Sequence, residues 1–174
     1  IDSFVKTMNN LPIKLTKDLF YPHMVNSYHG IAHTTRVLLA TLLLCKAIKL
    51  QDDETIACYI AAIIHDLGKS YDKESAEHGY KSMVLYIEKI KSLICDTNLR
   101  KRTLNAVRYH SVVDNECPDE VRQDIIWKVL KDADALDRSR FCGRGCDKSY
   151  LRLDIYPSAI GQNILELTSY LPGW

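Results

Sequence analysis

Six histidines are spread along the 174 residues, and their placement is the first chemical signal. His65 and Asp66 end the apolar run of "AAIIHDLGKS", residues 61–70. Both side chains are costly to bury, so a core helix that finishes on them must supply a partner. His33 stands in "YHGIAHTTRV", His78 in "AEHGYKS", His110 in "VRYHSVVD" and Asp134 in "KDADALDR". Imidazole with carboxylate suits first-row divalent metals such as manganese, iron, cobalt, nickel or zinc. An ion coordinated by His65 and Asp66 would remove the penalty of burying them. The plainer alternative for the dipeptide is that His65 caps helix carbonyls while Asp66 pairs with Lys69.

The elements that must position these groups read as helices. Seven glycines and five prolines punctuate the chain, and no run alternates like a strand. From Gly30 to Leu50, Ile31, Val37, Leu38, Leu42 and Ile48 recur at helical spacing. Asp52 is placed to cap a second helix carrying Ile56, Ile60, Ile63, Ile64 and Leu67, with Gly68 to end it. A third is predicted over about 76–94, and a fourth over about 97–112. A fifth starts in its first turn at Pro118 and runs to about Leu136. Residues 138–157 read as irregular, and a last helix covers 158–170. Each of the first five brings a candidate ligand to or near a terminus, and helix ends can converge on one point in a bundle.

Composition narrows the function classes. The length suits one domain over 1–174, with a core at about 29–140 and 141–174 as a loop and helix closing the site. Hydrophobic residues at 47% and charged residues at 26% are those of a globular protein. A net charge of +1 gives no global attraction to nucleic acid or membrane. No segment is long and apolar enough to span a bilayer, and no signal peptide opens the chain. The six scattered cysteines read as reduced thiols, which points to the cytoplasm. A chain beginning at Ile1 rather than methionine leaves room for an excerpt of a longer protein.

The order His33, then His65-Asp66, then Asp134 resembles the HD superfamily of metal-dependent phosphohydrolases. "HDLGK" resembles its His-Asp-x-Gly-Lys form, "HGIAHTTRV" its first-histidine segment and "DADALDR" its last-aspartate segment. The resemblance implies an all-α helical bundle with a buried metal site, and hydrolysis of phosphoester or phosphoanhydride bonds. It implies His33, His65, Asp66 and Asp134 as ligands of a first divalent transition metal. His78 and His110 fall where some branches hold a second metal, and Asp66 would then bridge the two ions. The Gly-Tyr-Pro signature of the cyclic-dinucleotide phosphodiesterase branch is missing. Lys69 replaces a glutamate that some nucleotidase members carry nearby, so their substrate does not transfer.

Within that resemblance, a metal-acidified water is the expected nucleophile. Asp66 and Lys69 are the expected catalytic residues, with Lys69 a cation at the mouth of the site. The alternative for Lys69 is a cation complementing the helix dipole. Arg138 and Arg140 are candidates for phosphate binding, since arginine forks suit phosphate. They belong to a basic region that also holds Arg144, Lys148 and Arg152. Arg100, Lys101, Arg102 and Arg108 read as a solvated helix start. His29, four residues before His33, is a candidate ligand, with a place beside the site or packing at the glycine turn as the preferred reading, and His23 reads as structural. Asp132 and Asp137 read as solvated or paired with arginines. Cys142 and Cys146 read as part of a reduced loop rather than a zinc knuckle. The expected substrate is a nucleotide or another small phosphorylated molecule. A nuclease acting on nucleic acid and a non-catalytic nucleotide sensor are the alternatives; the first lacks an aromatic-basic platform.

Overall fold

The computed structural model describes residues 12–73, 75–138, 148–156 and 158–169. Its helices are α1 (Ile31–Ala47), α2 (Asp52–Ile64), α3 (His78–Leu93), α4 (Thr97–Tyr109), α5 (Asp119–Gln123), α6 (Ile125–Asp137) and α7 (Ala159–Ser169). Short 3-10 turns cover Lys17–Leu19, Pro22–Met24, Asp114–Glu116 and Lys148–Tyr150. Among the described residues there is no strand. No helix of the described residues is long and apolar enough to cross a membrane.

The second half of α2 organises the rest. Every residue from Ala57 to Ile64 is buried. A helix apolar on all sides needs neighbours on all sides. α1, α3, α4 and α6 supply them, and α1 packs along α6. Trp127, Leu38, Leu44, Ile60, Ile63, Ile126, Leu130 and Leu136 fill the space between these helices. The links between α1 and α2, and between α3 and α4, are short, so each pair runs antiparallel. The starts of α1 and α3 therefore meet the ends of α2, α4 and α6 at one end of the bundle.

Several boundaries differ from the sequence expectation. α1 stops at Ala47 because Lys49 takes a left-handed conformation (φ 53°), and Leu50 N–H then bonds the Cys45 carbonyl at 3.0 Å. α2 starts at Asp52, so Gln51 is its N-cap, and Asp52, Asp53 and Glu54 favour its positive end from inside the first turn. The expected fourth helix ends at Tyr109. Beyond it, Trp127 Nε1 donates to the Tyr109 carbonyl and Lys131 to the Val112 carbonyl. The expected fifth helix is two, α5 and α6, broken at Asp124. This residue is extended (ψ 131°), and its carboxylate caps α6 by accepting from Ile126 N–H at 2.8 Å. Pro118 precedes α5 as its N-cap.

Gly68 does not end α2, which closes at Ile64 with His65 as C-cap. It is required for a close approach to α3. Its N–H donates to Ser82 Oγ at 2.8 Å, and a Cβ there would stand 2.3 Å from Ser82 N. Gly68→Ala should therefore push α3 away from the end of α2. Overpacking of this kind costs about 1–3 kcal/mol, to be read as a lowered midpoint in denaturant unfolding. Ser82→Ala, which loses the hydroxyl but keeps the space, should cost about 1 kcal/mol.

Candidate metal centre

His33 lies in the first turn of α1, His65 and Asp66 follow α2, His78 opens α3 and His110 caps the end of α4. The antiparallel arrangement brings all five to one place. Asp66 is central. Its Oδ2 lies 3.3 Å from His33 Nε2 and 3.4 Å from His65 Nε2. Its Oδ1 lies 3.0 Å from His78 Nε2 and 3.3 Å from His110 Nε2. The imidazoles are paired as well. His33 and His65 approach Nε2 to Nε2 at 3.1 Å, and His78 and His110 at 2.9 Å.

The other ring nitrogens decide what these contacts can be. Nδ1 of His65 faces the Ala62 carbonyl at 2.8 Å, and Nδ1 of His110 faces the Val107 carbonyl at 2.7 Å. Nδ1 of His78 faces the Ser75 carbonyl, and Nδ1 of His33 faces Asp137 Oδ2 at 2.6 Å. Carbonyl and carboxylate oxygens only accept, so each Nδ1 carries the hydrogen. In the neutral rings, Nε2 then presents a bare lone pair. Burial pushes His65 down to about 4, in opposition to Asp66, and lowers His78 too. Burial alone would raise Asp66. The surrounding imidazoles of His65, His110, His33 and His78 nevertheless hold it well below the usual carboxylate range.

Lone pairs therefore face lone pairs and a carboxylate among largely buried side chains at the floor of a cleft. A cation between them turns this repulsion into coordination, and proton-free imidazole with ionised carboxylate is the donor set a divalent transition metal takes. Two groups have ligand atoms within 4.8 Å of one another: His33, His65 and Asp66, and Asp66, His78 and His110. The residues present thus fit a metal ion. Asp134, in the last turn of α6, stands beside the first group with Oδ1 3.4 Å from His33 Nε2.

Lys69 is 6% exposed and lines the cleft above the cluster. It does not pair with Asp66. Among the described residues its ammonium has no hydrogen-bond or ion-pair partner. The cleft encloses about 900 Å³, a size usual for small-molecule sites. Arg138, at the end of α6, also lines it and is likewise unpaired among the described residues. The other cations there are committed. Lys131 binds Asp114 and the Val112 carbonyl, and Arg152 binds Asp114 and Asp132. Arg140, Arg144, Cys142 and Cys146 lie outside the described residues.

His23 is structural and Asp132 and Asp137 pair with arginines, as the sequence suggested, while Arg102 takes a place it did not. His29 stays out of both donor groups, and its Nδ1 meets Asp72 Oδ1 at 2.9 Å. His23 binds the Ser70 carbonyl at 2.7 Å, a structural contact. Arg102 is no solvated cation, since it bridges Glu54 and Asp124. Asp132 is fully buried and accepts from the Arg152 and Leu153 amides and the Tyr156 hydroxyl, which ties residues 152–156 to α6. Asp137 is buried too, and Arg36 Nε donates to its Oδ1 at 2.5 Å while His33 holds its Oδ2. The spacing His33–Arg36 and Asp134–Asp137, three apart on one helix face, was the signal for this network.

Asp137 thus fixes the tautomer of His33 and neutralises Arg36. Asp137→Asn leaves a buried guanidinium without its anion, which typically costs about 3–5 kcal/mol. The expected readout is a lowered unfolding midpoint, together with a changed ¹⁵N shift of the His33 ring as its Nδ1–H loses the charged acceptor.

The family model for the HD domain matches residues 30–139. No curated protein matches the chain, and no solved structure does.

Proposed function

The chain belongs to the HD-domain family, a superfamily of metal-dependent hydrolases, and from that premise we propose that it hydrolyses a phosphoester or phosphoanhydride bond in a small phosphorylated molecule, most fittingly a nucleotide. One observation carries the reading: four imidazole Nε2 atoms converge on the two oxygens of Asp66 with their Nδ1 hydrogens engaged elsewhere.

His33, His65, Asp66 and Asp134 would hold one divalent ion, and His78 and His110 would hold a second that shares Asp66. The chemistry supplied by bound metal is Lewis acidity toward phosphoryl oxygen and acidification of water. The chain's own residues supply the rest. Asp137 and Arg36 keep the His33 ring in orientation. Lys69, buried and without a partner among the described residues, offers its ammonium to phosphoryl oxygens whose charge grows in the transition state. Arg138 offers a fork to the same anion from the far end of α6. Tyr28, Val113 and Tyr150 line the cleft while 66%, 63% and 58% exposed, and their faces suit a nucleobase.

Reconstitution with manganese, iron, nickel or zinc, followed by elemental analysis and a panel of phosphorylated substrates, tests the reading. At least one metal should bind near stoichiometrically and support turnover. No uptake by folded protein would overturn it. Asp66→Ala should abolish turnover more completely than His78→Ala, because Asp66 serves both donor groups; the reverse order would reject the assignment.

Lys69→Met should retain metal and the unfolding midpoint while turnover falls ~100- to 1,000-fold, the usual loss for one transition-state contact. Normal turnover with a lowered midpoint would assign Lys69 to the helix end alone.

A further inference from the structure

Asp132 is fully buried in α6 and does not line the cleft, yet it holds a segment that does. Its Oδ1 accepts from the Arg152 amide at 2.8 Å. Its Oδ2 accepts from the Leu153 amide and from the Tyr156 hydroxyl, each at 2.9 Å. Only a carboxylate presents two oxygens that both accept, so the residue type fits a place ringed by donors. The Arg152 side chain extends the tie. Its Nε and Nη2 donate to the two oxygens of Asp114, both at 2.9 Å, and its Nη1 reaches Asp132 Oδ1 at 3.4 Å. The same Nη1 donates to the Tyr150 carbonyl.

Arg152 is thus spent on the fold, although it stands in the cleft wall. What the tie delivers to the cleft is Tyr150, two residues earlier, which lines the cavity and is largely exposed. Its place is set through the backbone by a carboxylate in the core. A buried ionic tie often stabilises no better than apolar side chains of the same volume would, and what it can add is one defined geometry. A ring that must meet a flat partner in a fixed orientation has use for such support from behind. Residues 148–156 lie beyond the HD-domain segment, 30–139, so this wall is not part of what the family model matches.

We propose that Asp132 is a positioning residue of the site: without touching the substrate, it sets Tyr150 to stack on a flat, unsaturated ring in the part of the substrate that is not hydrolysed, as a nucleobase offers. The proposal rests on the phosphohydrolase reading for the use of the site, and it assigns the wall that selects ring-bearing substrates.

Titration calorimetry of the full chain in the presence of manganese tests it. The probes are phosphonate analogues of adenosine and cytidine monophosphates and of ribose 5-phosphate, with carbon in place of the bridging oxygen so that none is turned over. The unchanged protein should bind at least one nucleoside analogue about 5- to 150-fold more tightly than the ribose analogue, the gain of one base–aromatic stack. Tyr150→Phe should keep that preference and Tyr150→Ala should lose it. Asp132→Asn turns an amide NH2 toward N–H donors and should lose it too, with metal content and affinity for the ribose analogue unchanged. Asp132→Asn/Tyr150→Ala should fall no further than the more damaging single variant, because one residue acts through the other. Asp114→Asn, which releases Arg152 from its exposed end, should weaken the preference as well, and it carries the test if Asp132→Asn does not fold. Three results would each overturn the proposal: no preference in the unchanged protein, a preference that survives Tyr150→Ala or the folded acidic-residue variant, and losses that add in the double variant. Turnover of phosphorylated substrates is measured on the same samples, where Asp132→Asn should raise KM and leave kcat within about threefold. No turnover by any sample, with the preference still dependent on Tyr150 and Asp132, would retain the stacking wall and overturn the hydrolase reading alone.

Discussion

The structure depends on how one buried carboxylate is surrounded. Asp66 sits in the core with an imidazole pair on each oxygen. Neither a carboxylate nor four lone-pair-bearing nitrogens can be left there without compensation. The chain therefore commits four helices to it, through the first turn of α1, the end of α2, the start of α3 and the end of α4. α6 adds Asp134 and the Asp137–Arg36 pair from its last turn. The same convergence that makes the site also makes the bundle end polar, and the apolar length of α2 must bind the helices together below it.

Helix termini suit this task. A carbonyl left free by the last turn of a helix is an acceptor at no cost to the helix itself. His65 and His110 each use the carbonyl three residues earlier, Ala62 and Val107, to fix the ring with Nε2 pointing outward. His78 uses the Ser75 carbonyl just ahead of α3. His33, in the first turn of α1, is held instead by a side chain, Asp137. That difference explains why a second buried charge, Arg36, has to enter the core beside it.

Charge around the cleft is divided by commitment. Lys131, Arg152, Asp114 and Asp132 neutralise one another and fasten residues 150–156 against α6 and the Asp114–Glu116 turn. That wall is rigidly tied and electrically quiet. Lys69 and Arg138 have no such partners among the described residues, so the attraction for an anion concentrates at them.

Much of this was legible in the residues. Apolar periodicity gave the helices, because burial of one face imposes a period that local sequence records. The ordered His33, His65-Asp66 and Asp134 reported a metal-type site, since those side chains have few other reasons to end buried helices. The boundary errors came where a side chain overrides the pattern: Asp124 capping α6 within an apolar continuation, or Lys49 turning left-handed without glycine. The sequence by itself thus determined the helical class, the donor types and their order along the chain. Tertiary structure alone decided which oxygen of Asp66 meets which imidazole pair, that Asp137 rather than solvent holds His33, and that Lys69 has no partner among the described residues. These depend on contacts that reach across as many as 104 positions of chain, set by how the helices pack around α2. No local pattern carries that information, because a side chain's partner is chosen by the packing of elements and not by its neighbours in sequence.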